Sequence, residues 1–117
     1  MSIRVYLPTT VALLAEQHAE GAFLVTDDAV LVDAGAEDEE AEYDALMTAA
    51  SASAALVAGP GRRVVVVAEL DREPETGSTI PLERVVAVHA DTEDRAADAD
   101  PDDDLGWFAT QEIGYVV

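Results

Sequence analysis

His89, Asp91 and Glu93 are the residues whose types and spacing best suit chemistry, because they alternate at the end of the apolar run Val85-Val86-Ala87-Val88. Successive side chains of a strand point to opposite faces, so these three share one side if the strand continues through them. An imidazole and two carboxylates would then offer nitrogen and oxygen donors to a divalent cation, or act in acid/base chemistry. The simpler reading is a half-buried histidine at a strand edge followed by two carboxylates that open a solvated segment, since so acidic a chain brings such residues together by chance. His18 lies on the apolar stripe of a helical segment and reads as a core-edge histidine unless the fold brings it to His89. Trp107, Phe108 and Tyr115 are a second set, the partner-binding candidates. Aromatics beside an acidic segment suit a docking anchor, although their simpler use is to cover a sheet.

Twenty-five Asp and Glu residues oppose six arginines, with no lysine, giving 117 residues a formal net charge of −19. Such a field repels phosphate backbones and anionic headgroups, which disfavours nucleic acid and membrane surfaces as partners. It attracts basic proteins and divalent cations over a Debye length of roughly 8 Å. A solvated acidic shell that keeps the protein soluble accounts for the same charge without any partner. The absence of cysteine excludes disulfides, thiolate nucleophiles, zinc-thiolate sites and iron-sulfur clusters. Without lysine there is neither a P-loop lysine nor a Schiff base, and Gly59-Pro60-Gly61 lacks the spacing that cradles a phosphate. Ser51, Ser53 and Ser78 lie outside any nucleophile-elbow motif. Arg62-Arg63 is read as pairing with the surrounding carboxylates rather than binding an anion. No apolar run approaches the ~18 residues of a membrane span. The chain is read as cytoplasmic, with no cofactor expected and a divalent metal as the alternative.

The elements that must position these residues follow from pattern. Ile3-Arg4-Val5-Tyr6-Leu7 alternates and stops at Pro8, predicting a first strand with Ile3, Val5 and Leu7 toward the core. Thr10 as N-cap, Val11, Leu14, Ala15 and His18 at helical spacing, and Gly21 as stop signal predict a helix over 10–20. Ala22-Phe23-Leu24-Val25 predicts a short strand. Residues 26–33 fit either a short helix capped by Thr26 or a return strand built on Ala29-Val30-Leu31-Val32. The clearest helix is predicted over 37–58, with a core stripe of Tyr43, Leu46, Met47, Ala50, Ala54 and Val57 and a small-sided second row of Ala45, Ala49, Ala52 and Leu56. Its acidic first turns lie at the positive end of the helix dipole. Val64-Val65-Val66-Val67-Ala68 is the continuous apolar run of a central strand covered on both faces. A loop over 71–79, one helical turn at Pro81–Arg84 and a strand over Val85–Ala90 follow. Residues 91–104, with eight carboxylates among fourteen residues, predict a mobile acidic linker. The segment 105–117 is expected to dock back, with Asp104 available as a helix N-cap.

Arg4-Val5-Tyr6-Leu7-Pro8-Thr9-Thr10, the Glu42–Ala50 helix, Arg62–Ala68, Val85–Asp91 and Trp107–Ile113, taken in order, resemble a family of small uncharacterised actinobacterial proteins. The resemblance spans nearly the whole chain. It implies a cytoplasmic actinobacterial protein with no assigned activity, no catalytic residues to carry over, and a short helix over Thr26–Asp33. The expected architecture is a single domain, 1–117, of the α+β (mixed α/β) class. A sheet of about four strands would be packed by one long and two shorter helices in the order β-α-β-α-β-β-α. The expected function is a non-catalytic protein-interaction or regulatory module that binds a basic protein. A metal-dependent enzyme or small-ligand-binding protein using His89, Asp91 and Glu93 is the alternative.

Overall fold

Four consecutive valines cannot be placed in a sheet unless both faces are covered, and that requirement organises the molecule. The computed structural model of the chain describes residues 2–33, 39–57, 60–96 and 98–117. Among them, β1 (Ile3–Thr9), α1 (Val11–Glu20), β2 (Ala22–Leu24) and β3 (Val30–Asp33) precede the long helix α2 (Glu39–Val57). There follow β4 (Val64–Leu70), β5 (Thr79–Pro81), β6 (Val85–Ala90), β7 (Gly106–Phe108) and α3 (Ile113–Val116), with 3-10 turns at Leu82–Arg84 and Thr110–Glu112. Five strands form an antiparallel sheet in the order β3-β1-β4-β6-β7, and β2 pairs with β5 in a separate ribbon. The class is the mixed α+β one expected, with more and shorter strands than the sequence suggested.

Val64, Val66 and Ala68 of β4 point to one face, where they meet Val5, Leu14, Phe23, Ile80, Val88 and Ile113. Val65 and Val67 point to the other, against Tyr6, Ala45, Ala49, Ala50 and Ala87. Each buried valine side chain contributes roughly 1.5–3 kcal/mol relative to exposure. Thus α1, the β2–β5 ribbon and α3 cover one face, and α2 covers the other. Thr10 caps α1, its Oγ1 accepting from the Leu13 N–H at 3.2 Å, and Gly21 closes it at φ +71°, a conformation that costs glycine least.

The seam of α2 differs from the stripe its large residues predict. Ala45, Ala49, Ala50 and Ser53 are its buried residues, while Tyr43 and Leu56 are exposed. Alanine-sized side chains let the helix axis lie close to the sheet, and larger ones would hold it away. Within this seam, the Ser53 hydroxyl donates to the Thr9 carbonyl at 2.6 Å and accepts from the Val64 N–H at 2.8 Å. It stands between the opposed ends of β1 and β4, where Thr9 faces Val64. Residues 37, 38, 58 and 59, also assigned to this helix or its stop, lie outside the described residues.

Three short elements depart from the sequence reading. Residues 26–33 form a turn, closed by the Ala29 N–H donating to Thr26 O at 3.1 Å, and then strand β3, which pairs with Ile3–Tyr6 of β1. The short helix implied by the family resemblance is therefore replaced by the β-branched return strand, whose Val30 and Val32 pack on the α2 side. Thr79–Pro81, read as the end of a loop and the start of a helical turn, is a strand because Ile80 is drawn into the core opposite Phe23. Gly106–Phe108 is a strand rather than the start of an Asp104-capped helix. A Cβ at Gly106 would sit 3.2 Å from the Ala90 carbonyl oxygen, so glycine permits the close approach of β7 to β6. The register of β4 and β6 shifts after Val67, so that Ala68 opposes Val85 and Val86 is left out of the ladder, exposed.

Among the described residues, no helix is long and apolar enough to cross a membrane. Ser53→Ala is expected to lower stability by about 1–3 kcal/mol, because it leaves a buried N–H and a buried carbonyl without partners. Urea denaturation of the variant against the parent measures the loss.

Candidate functional site

The sequence candidates converge on the ends of β4 and β6. The Arg63 guanidinium grips the Asp91 carboxylate through two parallel bonds, Nε to Oδ2 at 2.9 Å and Nη2 to Oδ1 at 2.8 Å. The Arg63 backbone N–H donates to Oδ2 at 2.8 Å, and the Asp91 N–H donates back to the Arg63 carbonyl at 3.1 Å. The two side chains are only 4% and 6% exposed. Arg63 also donates through Nη1 to Pro101 O at 3.2 Å and through Nη2 to Asp103 O at 2.9 Å. Arg95 reinforces the arrangement with its Nε 3.9 Å from Asp91 Oδ1, an Nη2 bond to Asp103 Oδ2 at 3.0 Å, and a further bond to the Asp100 carbonyl. Burial pushes the Asp91 pKa upward, but the hydrogen bonds and charge of Arg63, with Arg95, outweigh it and leave the carboxyl below its ordinary value. The acidic segment for which composition suggests mobility is thus attached at Asp91, Arg95, Asp100, Pro101 and Asp103 to two guanidiniums.

This geometry bears directly on the proposed His89, Asp91 and Glu93 constellation. Both Asp91 oxygens already accept from Arg63. Asp91 and Glu93 line a depression of about 200 Å³ together with Thr92, Arg95, Asp104 and Gly106, and His89 is not among the residues lining it. His89 is half-buried, paired with Val65 on one side and Trp107 on the other. Burial lowers its pKa, keeping the imidazole neutral to lower pH than usual. Among the described residues, no group of three or more His, Asp or Glu is arranged to hold a metal ion. His18 belongs to α1, on the far face of the sheet from the Val65 side to which His89 points.

The aromatic candidates separate by strand alternation. Phe108 packs against the cluster on the α1 side, whereas Trp107, opposite His89, takes the α2 side and is 61% exposed. Tyr115 is 83% exposed, while its helix neighbours Ile113 and Val116 are buried. Tyr43 of α2 is also exposed, although its spacing suggests a core position. Its hydroxyl donates to Asp104 Oδ1 at 3.5 Å, and desolvation followed by the charges of Asp104 and Asp102 raises its pKa. Three of the six aromatic residues therefore face solvent. A signal for Trp107 was present in the sequence, since adjacent strand residues cannot both point inward. The Tyr43–Asp104 contact, across 61 positions, had none.

One cleft adjoins the site and another lies at the opposite end of β4 and β6. The first, of about 270 Å³, lies between α2 and the acidic segment, with Ser51, Ala54, Arg63, Arg95 and Pro101 in its walls. The second, wider at about 570 Å³, runs along the 71–78 loop and β5, where Arg72 and Arg84 are mixed with Asp71, Glu73 and Glu75. The second cleft mixes both signs of charge, whereas the charged side chains in the walls of the first are the two arginines, both already engaged by Asp91.

A family model described as a family of unknown function (DUF6912) matches residues 3–117. No curated protein and no solved structure matches the chain.

Asp91→Ala is expected to destabilise the fold by about 3–5 kcal/mol, because it leaves the Arg63 charge buried and unpaired. Denaturant unfolding at neutral pH checks this. The pH dependence should divide into two windows. The stability supplied by Asp91, whose folded pKa is depressed, is present above the unfolded value of about 3.9 and is lost as pH falls through the lower folded value. His89 acts earlier, since its lowered folded pKa makes the unfolded state the better proton acceptor as pH falls below about 6.5. Stability measured from pH 8 to 3 should show both declines, and His89→Gln should remove only the first.

Proposed function

We propose that the chain, which belongs to the family of unknown function DUF6912, is a non-catalytic interaction module that binds a basic protein. The observation that carries this reading is the direction in which its charges face. Arg63 and Arg95 are turned inward, with side chains 4% and 15% exposed, and Arg4 lies between Glu42 and Glu69. With Arg84 beside Asp71, four of the six arginines are engaged with the chain's own carboxylates, and what a partner mostly meets is acidic surface with exposed rings set into it. A field of that sign raises the association rate of a cationic partner and opposes approach of nucleic acid and anionic lipid. The two bonds that Arg63 makes to Asp91 count against the metal-dependent alternative, because they engage the central carboxylate of that donor set.

Calorimetric titration with a lysine-rich peptide tests the reading. Saturable binding at one peptide per chain is expected at ~50 mM salt, weakening at least about tenfold at ~500 mM as the charges are screened. Absence of binding at low salt, or equal binding of a glutamate-rich control, would overturn it.

A further inference from the structure

We propose that the free edge of β7 is the docking site for that basic partner. An extended segment pairs with the backbone of Trp107 and lays a lysine or arginine side chain across the indole, beside the carboxylates of Asp102 and Asp104. The inference rests on the interaction reading above and gives it a place and a geometry.

The edge follows from hydrogen-bond parity. The Asp91 N–H donates to the Arg63 carbonyl, so these residues form a bonded pair across β4 and β6. Bonded and non-bonded pairs alternate along an antiparallel ladder, which makes Val65 and His89 the next bonded pair and turns the His89 backbone toward β4. Val64 confirms the parity, since its N–H points the other way, to the Ser53 hydroxyl at the β1 side. Val88 and Ala90 must then turn toward β7, with Phe108 and Gly106 as their partners. The N–H and C=O of Trp107 are left pointing off the sheet, whose strand order ends at β7 among the described residues. The outward groups of Ala109 are closed. Its N–H donates to Glu112 Oε1 at 2.9 Å and its carbonyl accepts from the Glu112 N–H at 2.9 Å. The open edge is thereby confined to Trp107 and the residue side leading to Leu105.

An unpaired strand edge is a template for another extended chain, and natural proteins usually blunt it with charge or proline. Here the edge residue carries an exposed tryptophan instead. Its ring lies on the α2 face, the face on which Leu105 packs and where Asp104 meets Tyr43. An indole is the best aromatic acceptor of a cation, and Asp104, held to Tyr43 on the same face three residues before Trp107, favours a lysine or arginine over any neutral side chain. Alternation in the incoming strand places every second residue on this face, so the recognised sequence is one with basic residues at alternate positions.

The probes are three end-capped eight-residue peptides: alternating lysine and threonine, the same peptide N-methylated along one edge, and a version with glutamate for lysine. Binding is read by calorimetry and by the fluorescence of Trp107, the single tryptophan. The lysine peptide is expected to bind and to change the emission. Trp107→Ala, an exposed change whose fold is checked by its melting temperature, should weaken it at least about tenfold, as should N-methylation, which removes the donors that strand pairing needs. If the lysine peptide binds but neither change weakens it, the edge site is wrong while the basic-partner reading stands. If only Trp107→Ala weakens it, strand pairing is wrong. If no lysine peptide binds at low salt, the basic-partner reading fails, and the edge site with it.

Discussion

The buried pair of Arg63 and Asp91 is the constraint on which the acidic half of the molecule depends. Residues 91–104 bring eight carboxylates into fourteen positions, and such a segment repels itself and has little apolar surface to bury. What it offers instead is backbone carbonyls, and Arg63 takes two of them, at Pro101 and Asp103, while its other donors hold Asp91. A planar guanidinium with five N–H groups can do this in several directions at once, and an ammonium on a flexible stem cannot hold the same geometry. Because the segment connects β6 to β7, the position of the sheet's last strand depends on the same contacts.

The start of β4 shows a related device. Two successive N–H groups at the start of β4 are bonded not to neighbouring backbone but to side chains, Arg63 to the Asp91 carboxylate and Val64 to the Ser53 hydroxyl. One lies toward β6 and the other toward β1. The central strand is therefore closed on both sides at the end where its apolar run begins, and the closing groups come from the acidic segment and from α2. The helix supplies its hydroxyl only because its seam is made of small residues. A helix held off the sheet by leucine-sized side chains would leave the Ser53 Oγ too far from both partners.

How much of this was legible in the sequence depends on whether an element's identity was local. Strand β4 was readable because burial on both faces demands a continuous apolar run, and α1 because Thr10 and Gly21 mark its ends. Strands β5 and β7 are three residues long, too short for alternation to show, and their conformation is imposed by Phe23 and by β6. The buried face of α2 was half legible: Ala45 and Ala49 of the small-sided row are buried, but of the stripe chosen by apolar size only Ala50 is, and Tyr43 stays outside because close packing on a sheet selected smallness. Pairing of Arg63 was implied by numbers alone, since carboxylates far exceed arginines. Which carboxylate it takes was not, because Asp91 lies 28 positions away and nothing local distinguishes it from the others. The His89, Asp91 and Glu93 spacing was visible, yet whether alternation continues past Ala90 is decided by Arg63, which captures Asp91 as the strand ends.

The distribution of charge and rings inverts what composition alone would lead one to expect. Arginine is among the residue types least often buried, and aromatic side chains are more often covered. Here Arg63 is among the most buried polar residues, and Trp107, Tyr43 and Tyr115 lie outside. Arg63, and beside it Arg95, satisfy several acceptors each at the crossing of strand ends and loop carbonyls. The core on the α2 face is filled by valine and alanine around the single buried ring of Tyr6. The other two rings of that face, Tyr43 and Trp107, are exposed, Tyr43 with its hydroxyl on Asp104. Trp107 owes its place to the same contacts, because Arg63 and Arg95 hold the segment that leads into β7.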